Sequence, residues 1–366
     1  MPISRTAPSP ARPAQRATKP LSLYLAGVGS VGTALLYQLT ELQGDAQRPR
    51  LIGACTSTHA AWTPPHPTPS AVEHHLEHGS TLHWPAVLER LIEHAPRPLV
   101  FVDATGHPDV ANHYTTLLEA GIHVVTPSKL ANTRSQDTFD RLHRTATQQN
   151  VQYRYETTVG AGLPVVRTVR DLRATGDRIQ TIRGVVSGTL TFVFSRMRKG
   201  DSFSEAVEAA IQKGYAEPDV RDDLSGEDVA RKFMILARTA GASIERDDVE
   251  VESLVPDNLR DLPLLAFRRH LGTVNEQWQE RVAEAATRDA VLQYVGEWVP
   301  GSGIRVGVEA VPSDAEFGRL DGQDNLFHIT TSRYNESPLT IKGPGAGPAV
   351  TAGGVLADVL AVQHVR

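Results

Sequence analysis

Apolar positions along this chain recur in two different rhythms. From Leu21 onward, short apolar runs alternate with stretches of helical spacing. Leu21-Ser-Leu-Tyr-Leu-Ala26 reads as a strand. The glycine-rich run Gly27-Val28-Gly29-Ser30-Val31-Gly32 follows, then a helix with Val31, Leu35, Leu36 and Leu39 on one face. Leu51–Cys55 reads as a second strand and 57–83 as irregular, rich in Pro and His. A helix over about 85–95, the strand Leu99–Asp103, a helix over about 108–120 and the strand Ile122–Val125 complete the series. Strands alternating with helices predict a right-handed, doubly wound parallel sheet. Beyond about 155 the rhythm changes. Helical patterns at 165–173, 203–213 and 225–240 flank a β-rich stretch at 179–187. Strand-like runs at 304–311, 325–332 and 337–342 then precede Gly343–Gly347 and a final helix from about 351. The pattern predicts a nucleotide-binding domain followed by a mixed α+β domain, with no internal repeat.

Length agrees with two domains, at 366 residues. With 37 Lys and Arg against 42 Asp and Glu, the net charge is −5, which excludes a strongly basic nucleic-acid binder. No apolar run approaches the roughly 18 residues of a membrane span. The single cysteine, Cys55, excludes an internal disulfide framework and a Cys-only zinc site, and suits a reducing, cytoplasmic compartment. Residues 1–20 hold five prolines, four basic residues and no acid, which reads as a disordered tail. An organellar transit peptide has a similar composition, but the apolar core of a secretory signal is missing.

The glycine run lies between a strand and a helix, the setting a dinucleotide fingerprint requires. Gly27 permits the turn, Gly29 admits a pyrophosphate and Gly32 allows close helix–strand packing. Val28, Ser30 and Val31 complete the loop, and the helix N-terminus offers free N–H groups to the phosphates. The fold class is therefore α/β, a Rossmann-type doubly wound sheet plus a second domain. The second strand ends Cys55-Thr-Ser-Thr58 without the acid that would grip a ribose 2′-hydroxyl, which leans the cofactor from NAD toward NADP.

The densest charge lies at Tyr215–Lys232, with Asp228 and Lys232 four apart on one helical face beside a Val229, Phe233, Leu236 stripe. Spacing alone favours a solvated ion pair over an active-site lysine.

The segment GYAEPDVRDDLSGEDVARK at 214–232 resembles the active-site segment of homoserine dehydrogenases. Asp103-Ala-Thr105, His123–Lys129, Tyr155–Pro164, Gly184–Thr189 and Gly345–Val355 are similar to further segments of that family. Together they span about 21–362, most like the dehydrogenase half of bifunctional aspartokinase–homoserine dehydrogenases. The resemblance implies NAD(P)H-dependent, reversible reduction of L-aspartate 4-semialdehyde to L-homoserine. It implies catalytic roles for Lys129, Lys232 and Asp228. Glu217 would hold the substrate ammonium, with Asp223, Ser187, Gly188, Thr189 and Tyr215 around the substrate. Thr105, Lys129 and Gly347 would join the glycine loop at the cofactor. Backbone oxygens of Glu156, Val159, Ala161 and Leu163 would hold Na+. Ser128 departs from the pattern, since the family usually has Asn before this lysine. The implied division is 21–155 for nucleotide, 156–340 for substrate and dimerisation, and 341–366 returning to the first domain. A homodimer is implied, and the segments leave no room for a kinase or a regulatory ACT module. Threonine inhibition through a built-in regulatory domain is therefore not expected.

Aspartate-semialdehyde dehydrogenase shares the metabolite but needs a cysteine nucleophile, and Cys55 sits on a strand without a suitable turn. A saccharopine-reductase-like oxidoreductase and a non-catalytic nucleotide sensor are the alternatives. The sensor predicts loss of Glu217, Asp228 or Lys232, and all are present. His59, His66, His74, His75, His78 and His83 crowd one stretch, which reads as a surface insertion without the third ligand zinc sites need. The four tryptophans read as packing.

Overall fold

The computed structural model describes residues 20–42, 48–63 and 68–364. The expected disordered tail lies outside them except for Pro20, as does His66. Among the described residues thirteen strands form two sheets. The first contains β1 (Ser22–Ala26), β2 (Arg50–Cys55), β3 (His59–Trp62), β4 (Ser80–Thr81), β5 (Leu99–Asp103), β6 (His123–Val125) and β7 (Tyr153–Arg154). Their order is β4-β3-β2-β1-β5-β6-β7. Strand β1 is buried on both faces, as a central parallel strand must be. Leu23 and Leu25 join Leu35, Leu36 and Leu39 of the helix Ser30–Glu41 on one face. Tyr24 and Ala26 join Leu91, Leu117 and Phe139 on the other.

The expected doubly wound parallel sheet is present and carries an antiparallel extension at one edge. Strands β2-β1-β5-β6-β7 are parallel, but β3 runs antiparallel to β2 and β4 to β3. The described residues of the stretch at 57–83, 57–63 and 68–83, therefore belong largely to regular elements and the turns between them. Thr56 Oγ1 accepts the N–H groups of Thr58 and His59, making a tight turn after β2, and Ala60 and Ala61 are buried. Its prolines and histidines mask a hairpin and the helix Pro69–Glu77. The helix expected at 108–120 is two pieces, Pro108–Ala111 and Tyr114–Glu119, and the helix Gln136–Gln148 adds to those expected.

The second sheet comprises β8 (Ile179–Val185), β9 (Val249–Val251), β10 (Ala290–Val299), β11 (Gly303–Pro312), β12 (Asp324–Thr331) and β13 (Leu339–Pro344). It is ordered β13-β12-β8-β10-β11-β9 and mostly antiparallel, with β9 parallel to β11. The helix Glu227–Ala240 lies on it so closely that a Cβ on Gly296 of β10 would stand 2.1 Å from the Phe233 ring. Beyond the expected stripe, Ala230, Met234, Ile235 and Ala237 are buried too. The last helix, Pro348–His364, returns to the first sheet. Ala352, Val355 and Val359 join the core of Leu35 and Leu39, and Gln38 Nε2 donates to the Ala349 carbonyl at 2.8 Å.

Candidate active site

The first sheet reverses its winding between β1 and β5, since the chain leaves β1 for β2 and crosses back to β5. Open α/β sheets bind ligands at such a switch point, beyond the carboxyl ends of the strands. Gly27 stands there with φ +94°, and a Cβ on it would lie 2.8 Å from the backbone of Ala104 and Thr105. A Cβ on Gly32 would come within 2.0 Å of the Gly27 carbonyl oxygen. At Gly29 the same position meets nothing within 4 Å. Two of the three glycines thus shape the loop, and the third leaves room above it. The following helix, N-capped by Gly29, has no side-chain cap and no acid in its first turn. Its end is open to an anion.

Beneath this crevice a buried network joins the tips of β5 and β6. Tyr114 donates to Asp103, and its hydroxyl also lies 3.0 Å from Thr126 Oγ1. Thr105 N and Oγ1 both donate to Asp103 Oδ1. Burial pushes the Asp103 carboxyl above its ordinary pKa, against the hydrogen bonds from Thr105 and Tyr114. Thr126 Oγ1 accepts the Ser128 N–H at 2.9 Å, and Ser128 Oγ accepts the Leu130 N–H at 3.4 Å. The loop that carries Lys129 is therefore held from below, with serine supplying the local acceptor. Sequence reasoning missed Tyr114 and Thr126, which only the fold brings to Asp103.

A cleft of about 800 Å³ opens between the two sheets. Of the residues singled out in the sequence, Lys129, Glu217, Asp223, Asp228, Lys232, Ala161 and Gly347 line it, together with Thr157, Thr158, Arg231 and Thr351, which were not singled out. At its centre Asp228 bridges both lysines: Oδ1 lies 3.2 Å from Lys129 Nζ and Oδ2 2.8 Å from Lys232 Nζ. Lys232 is buried and donates a second hydrogen bond to the Val186 carbonyl at 2.6 Å. The Asp228 carboxylate is half-exposed, so the pair opens onto the cleft. Burial works to raise the Asp228 pKa, but Lys232 and then Lys129 overcome it and hold the carboxyl well below its ordinary value. Burial lowers the pKa of Lys232, with Lys129 adding to the effect and Asp228 opposing it.

On the far wall, Asp223 Oδ2 accepts the Glu217 N–H at 2.8 Å, which leaves the exposed Glu217 side chain at the cleft. Ser187, Gly188, Thr189 and Tyr215 stand behind the cleft lining. Ser187 caps the helix Gly188–Arg198 by accepting the Leu190 N–H, and Thr189 Oγ1 donates to the Tyr215 carbonyl at 2.7 Å. The Tyr215 ring packs edge-on against Phe192.

The segment crossing between the sheets turns through two left-handed residues, Gly160 at φ +75° and Ala161 at φ +52°. The Glu156 and Leu163 carbonyls accept the N–H groups of Val159 and Val165. The Glu156 side chain is buried; Oε2 accepts the Arg167 N–H and Oε1 has no protein partner. Burial and the neighbouring Asp358 carboxylate push its pKa up to about 7. Asp358, on the returning helix, accepts the Glu156 N–H at 3.0 Å and pairs with Arg154.

A phosphate-ready crevice beside a cleft with a carboxylate between two lysines defines a dinucleotide-dependent oxidoreductase as the class. Comparison with known proteins makes this specific. The family model described as homoserine dehydrogenase matches residues 164–360, and that of its NAD binding domain matches 27–156. A homoserine dehydrogenase of Paracoccidioides brasiliensis is 38% identical, over 94% of this chain and 98% of its own length. A chloroplastic bifunctional aspartokinase/homoserine dehydrogenase 2 of Zea mays is 44% identical over 71% of the chain. The chain spans about a third of the length of such bifunctional relatives. Among solved structures, a Candida auris protein of unknown function has a TM-score of 0.86 at 33% identity, covering 94% of this chain and 98% of its own. A hyperthermophilic archaeal homoserine dehydrogenase in complex with NADPH shares the fold, at TM-score 0.74 and 22% identity, covering 94% and 98%. The chain belongs to the homoserine dehydrogenase family, NAD(P)-dependent oxidoreductases acting on a CH–OH group. Among the described residues no helix is long and apolar enough to cross a membrane.

Proposed function

We propose that this chain interconverts L-aspartate 4-semialdehyde and L-homoserine with NAD(P)H. The observation that carries the reading is Asp228 suspended between Lys129 and Lys232 in the cleft. A bound dinucleotide would supply the hydride for the aldehyde carbon. The chain's own residues supply position, charge and the proton. The lysine ammonium groups stabilise the negative charge that develops on the aldehyde oxygen, and Lys232 donates the proton that completes the alcohol. Asp228 keeps both lysines aimed into the cleft and lets two cations coexist there. Its own low pKa keeps it ionised throughout. Glu217 holds the substrate ammonium, with Asp223 fixing its backbone; Ser187, Gly188, Thr189 and Tyr215 support the wall behind. The glycine loop, Thr105 and Gly347 are the residues that would hold the dinucleotide.

We read the cofactor as NADP in preference to NAD. The turn after β2 carries no acid and presents Thr56, Ser57 and Thr58 with His59, whose Nδ1 lies 2.9 Å from Thr58 Oγ1. Hydroxyl donors suit a 2′-phosphate that an acid would repel. Backbone oxygens of Glu156, Val159, Ala161 and Leu163 would hold a sodium ion. The donor set is all oxygen, as a hard cation prefers, and the unpartnered Glu156 Oε1 adds buried negative potential beside it. For function the chain divides at about 155 and 340, with residues 156–340 supplying substrate groups and a homodimer contact through the second sheet. Arg183 pairs there across strands with Glu297 at 3.2 Å and Glu309 at 2.5 Å. We assign the protein to the cytoplasm on its one free, buried thiol.

The test is NADPH and NADH absorbance in parallel with aspartate semialdehyde. Turnover with NADPH exceeding that with NADH is expected; no turnover with either overturns the reading. Light scattering is expected to give twice the 39.7 kDa chain mass.

A further inference from the structure

The helix within the histidine-rich stretch, which the reaction leaves unused, holds a surface constellation of its own. The helix Pro69–Glu77 begins with a proline and is capped by Thr68, whose hydroxyl accepts the Ala71 N–H at 3.2 Å. Val72 and Leu76 are buried in the core of the first sheet and hold the helix in place. Its opposite face exposes His74, Glu77 and His78, at positions i, i+3 and i+4. One ligand atom from each of the three lies within 4.8 Å of the other two. The two imidazole rings are 4.4 Å apart.

Three further observations favour a cation. His78 Nδ1 lies 2.9 Å from the His74 carbonyl oxygen. A carbonyl only accepts, so Nδ1 carries the proton and Nε2 keeps its lone pair. This is the outer-shell contact that fixes the tautomer of a metal-binding imidazole. His78 also follows the last helical residue, where the carbonyl end of the helix dipole attracts positive charge. Glu77 supplies the third ligand that the sequence left unassigned to the histidine pair. Two imidazole nitrogens and one carboxylate oxygen suit zinc, whereas magnesium and calcium take oxygen ligands.

We propose that His74, Glu77 and His78 form a surface zinc site, with water completing a tetrahedral shell. Zinc holds its nitrogen ligands at roughly 2.0–2.1 Å, so the ligand atoms need to close to about 3.3 Å. Small rotations of exposed side chains accomplish that. The site is separate from the catalytic cleft, and its occupancy ties the last helical turn to itself. Binding only to the folded chain, zinc raises thermal stability by linkage.

Isothermal titration of zinc chloride alone into the full chain, carrying no affinity tag, tests this. One saturable equivalent is expected, with none for magnesium. His74→Asn/His78→Asn should lose it and Glu77→Gln should weaken it, while His83→Asn retains it. Circular dichroism and metal-free dehydrogenase turnover should match wild type in each variant. A zinc-dependent rise in melting temperature should vanish with the histidine pair. Absence of saturable binding to wild type overturns the proposal, as does undiminished binding to the His74→Asn/His78→Asn variant.

Discussion

Replacing Lys232 with methionine removes the ammonium while keeping most of the side-chain volume. In the native protein that ammonium makes two contacts, 2.8 Å to Asp228 and 2.6 Å to the Val186 carbonyl. Leaving a buried carbonyl without its donor costs roughly 1–3 kcal/mol. Asp228 keeps Lys129 at 3.2 Å and is half-exposed, so water replaces its lost partner. Acting the other way, the variant no longer buries a charge, and that burial is the first cause of the lowered Lys232 pKa. The opposing effects should hold the net stability change within about 2 kcal/mol. The kinetic scale is larger. A positioned general acid contributes roughly 10²–10⁴-fold, equivalent to about 3–5 kcal/mol of barrier. Steady-state turnover of aspartate semialdehyde, followed by NADPH absorbance, should therefore fall at least about a hundredfold, with NADPH affinity near native. Thermal melting measured alongside should show the same single transition. A kcat within a few fold of wild type would refute the assignment of the proton to Lys232. Collapse of the fold would mean that the lysine is chiefly a structural ion.

The glycine loop separates two effects. Gly32→Ala should lower melting temperature because its Cβ meets the Gly27 carbonyl, whereas Gly29→Ala should melt normally and raise the KM for NADPH; equal melting of both sinks the reading. Glu217→Gln should raise the KM for aspartate semialdehyde by removing a charge-assisted contact of roughly 1.5–3 kcal/mol, and an unchanged KM excludes that contact. Glu156 has its folded pKa raised, so its contribution to stability is present below the unfolded value and is lost as pH rises through about 7. Glu156→Gln should therefore gain stability relative to wild type between pH 5 and pH 8, by up to about 3 kcal/mol, read from paired melting curves. A pH-independent difference counts against it. Because the Lys232 pKa is lowered, reductive turnover should decline on the alkaline side before an ordinary lysine would deprotonate.

Much of the first sheet was legible because its signals are local. A strand–glycine–helix run announces itself within a dozen residues, and the structure gives Gly27 and Gly32 separate steric reasons while leaving open space at Gly29. Asp228 and Lys232 were legible as neighbours because a helix brings positions four apart together. Strand β10 was not legible. Five successive residues, Leu292–Gly296, are buried, so the alternation that marks a half-exposed strand is missing. The hairpin β2–β3 hid among prolines and histidines for a related reason, because composition there speaks of loops while the hydrogen bonds of Thr56 build a turn. The substrate wall was only partly legible. Ser187 and Thr189 were expected at the substrate, but their hydroxyls serve a helix cap and the Tyr215 carbonyl.

By itself the sequence determined which helical face carries the acid and the lysine, and that a dinucleotide loop follows the first strand. These depend on dihedral preferences and on periods of two and 3.6 residues, which act over short distances. Only the tertiary structure decided that Lys129, far earlier in the chain, meets Asp228, and that the returning helix closes the cleft with Gly347. It also decided that Lys232 is a buried cation with a lowered pKa, since a helix read as half-exposed is enclosed by the second sheet and its neighbours. Proximity across the chain and the polarity around a charge belong to the packed assembly of elements, and no local pattern encodes them.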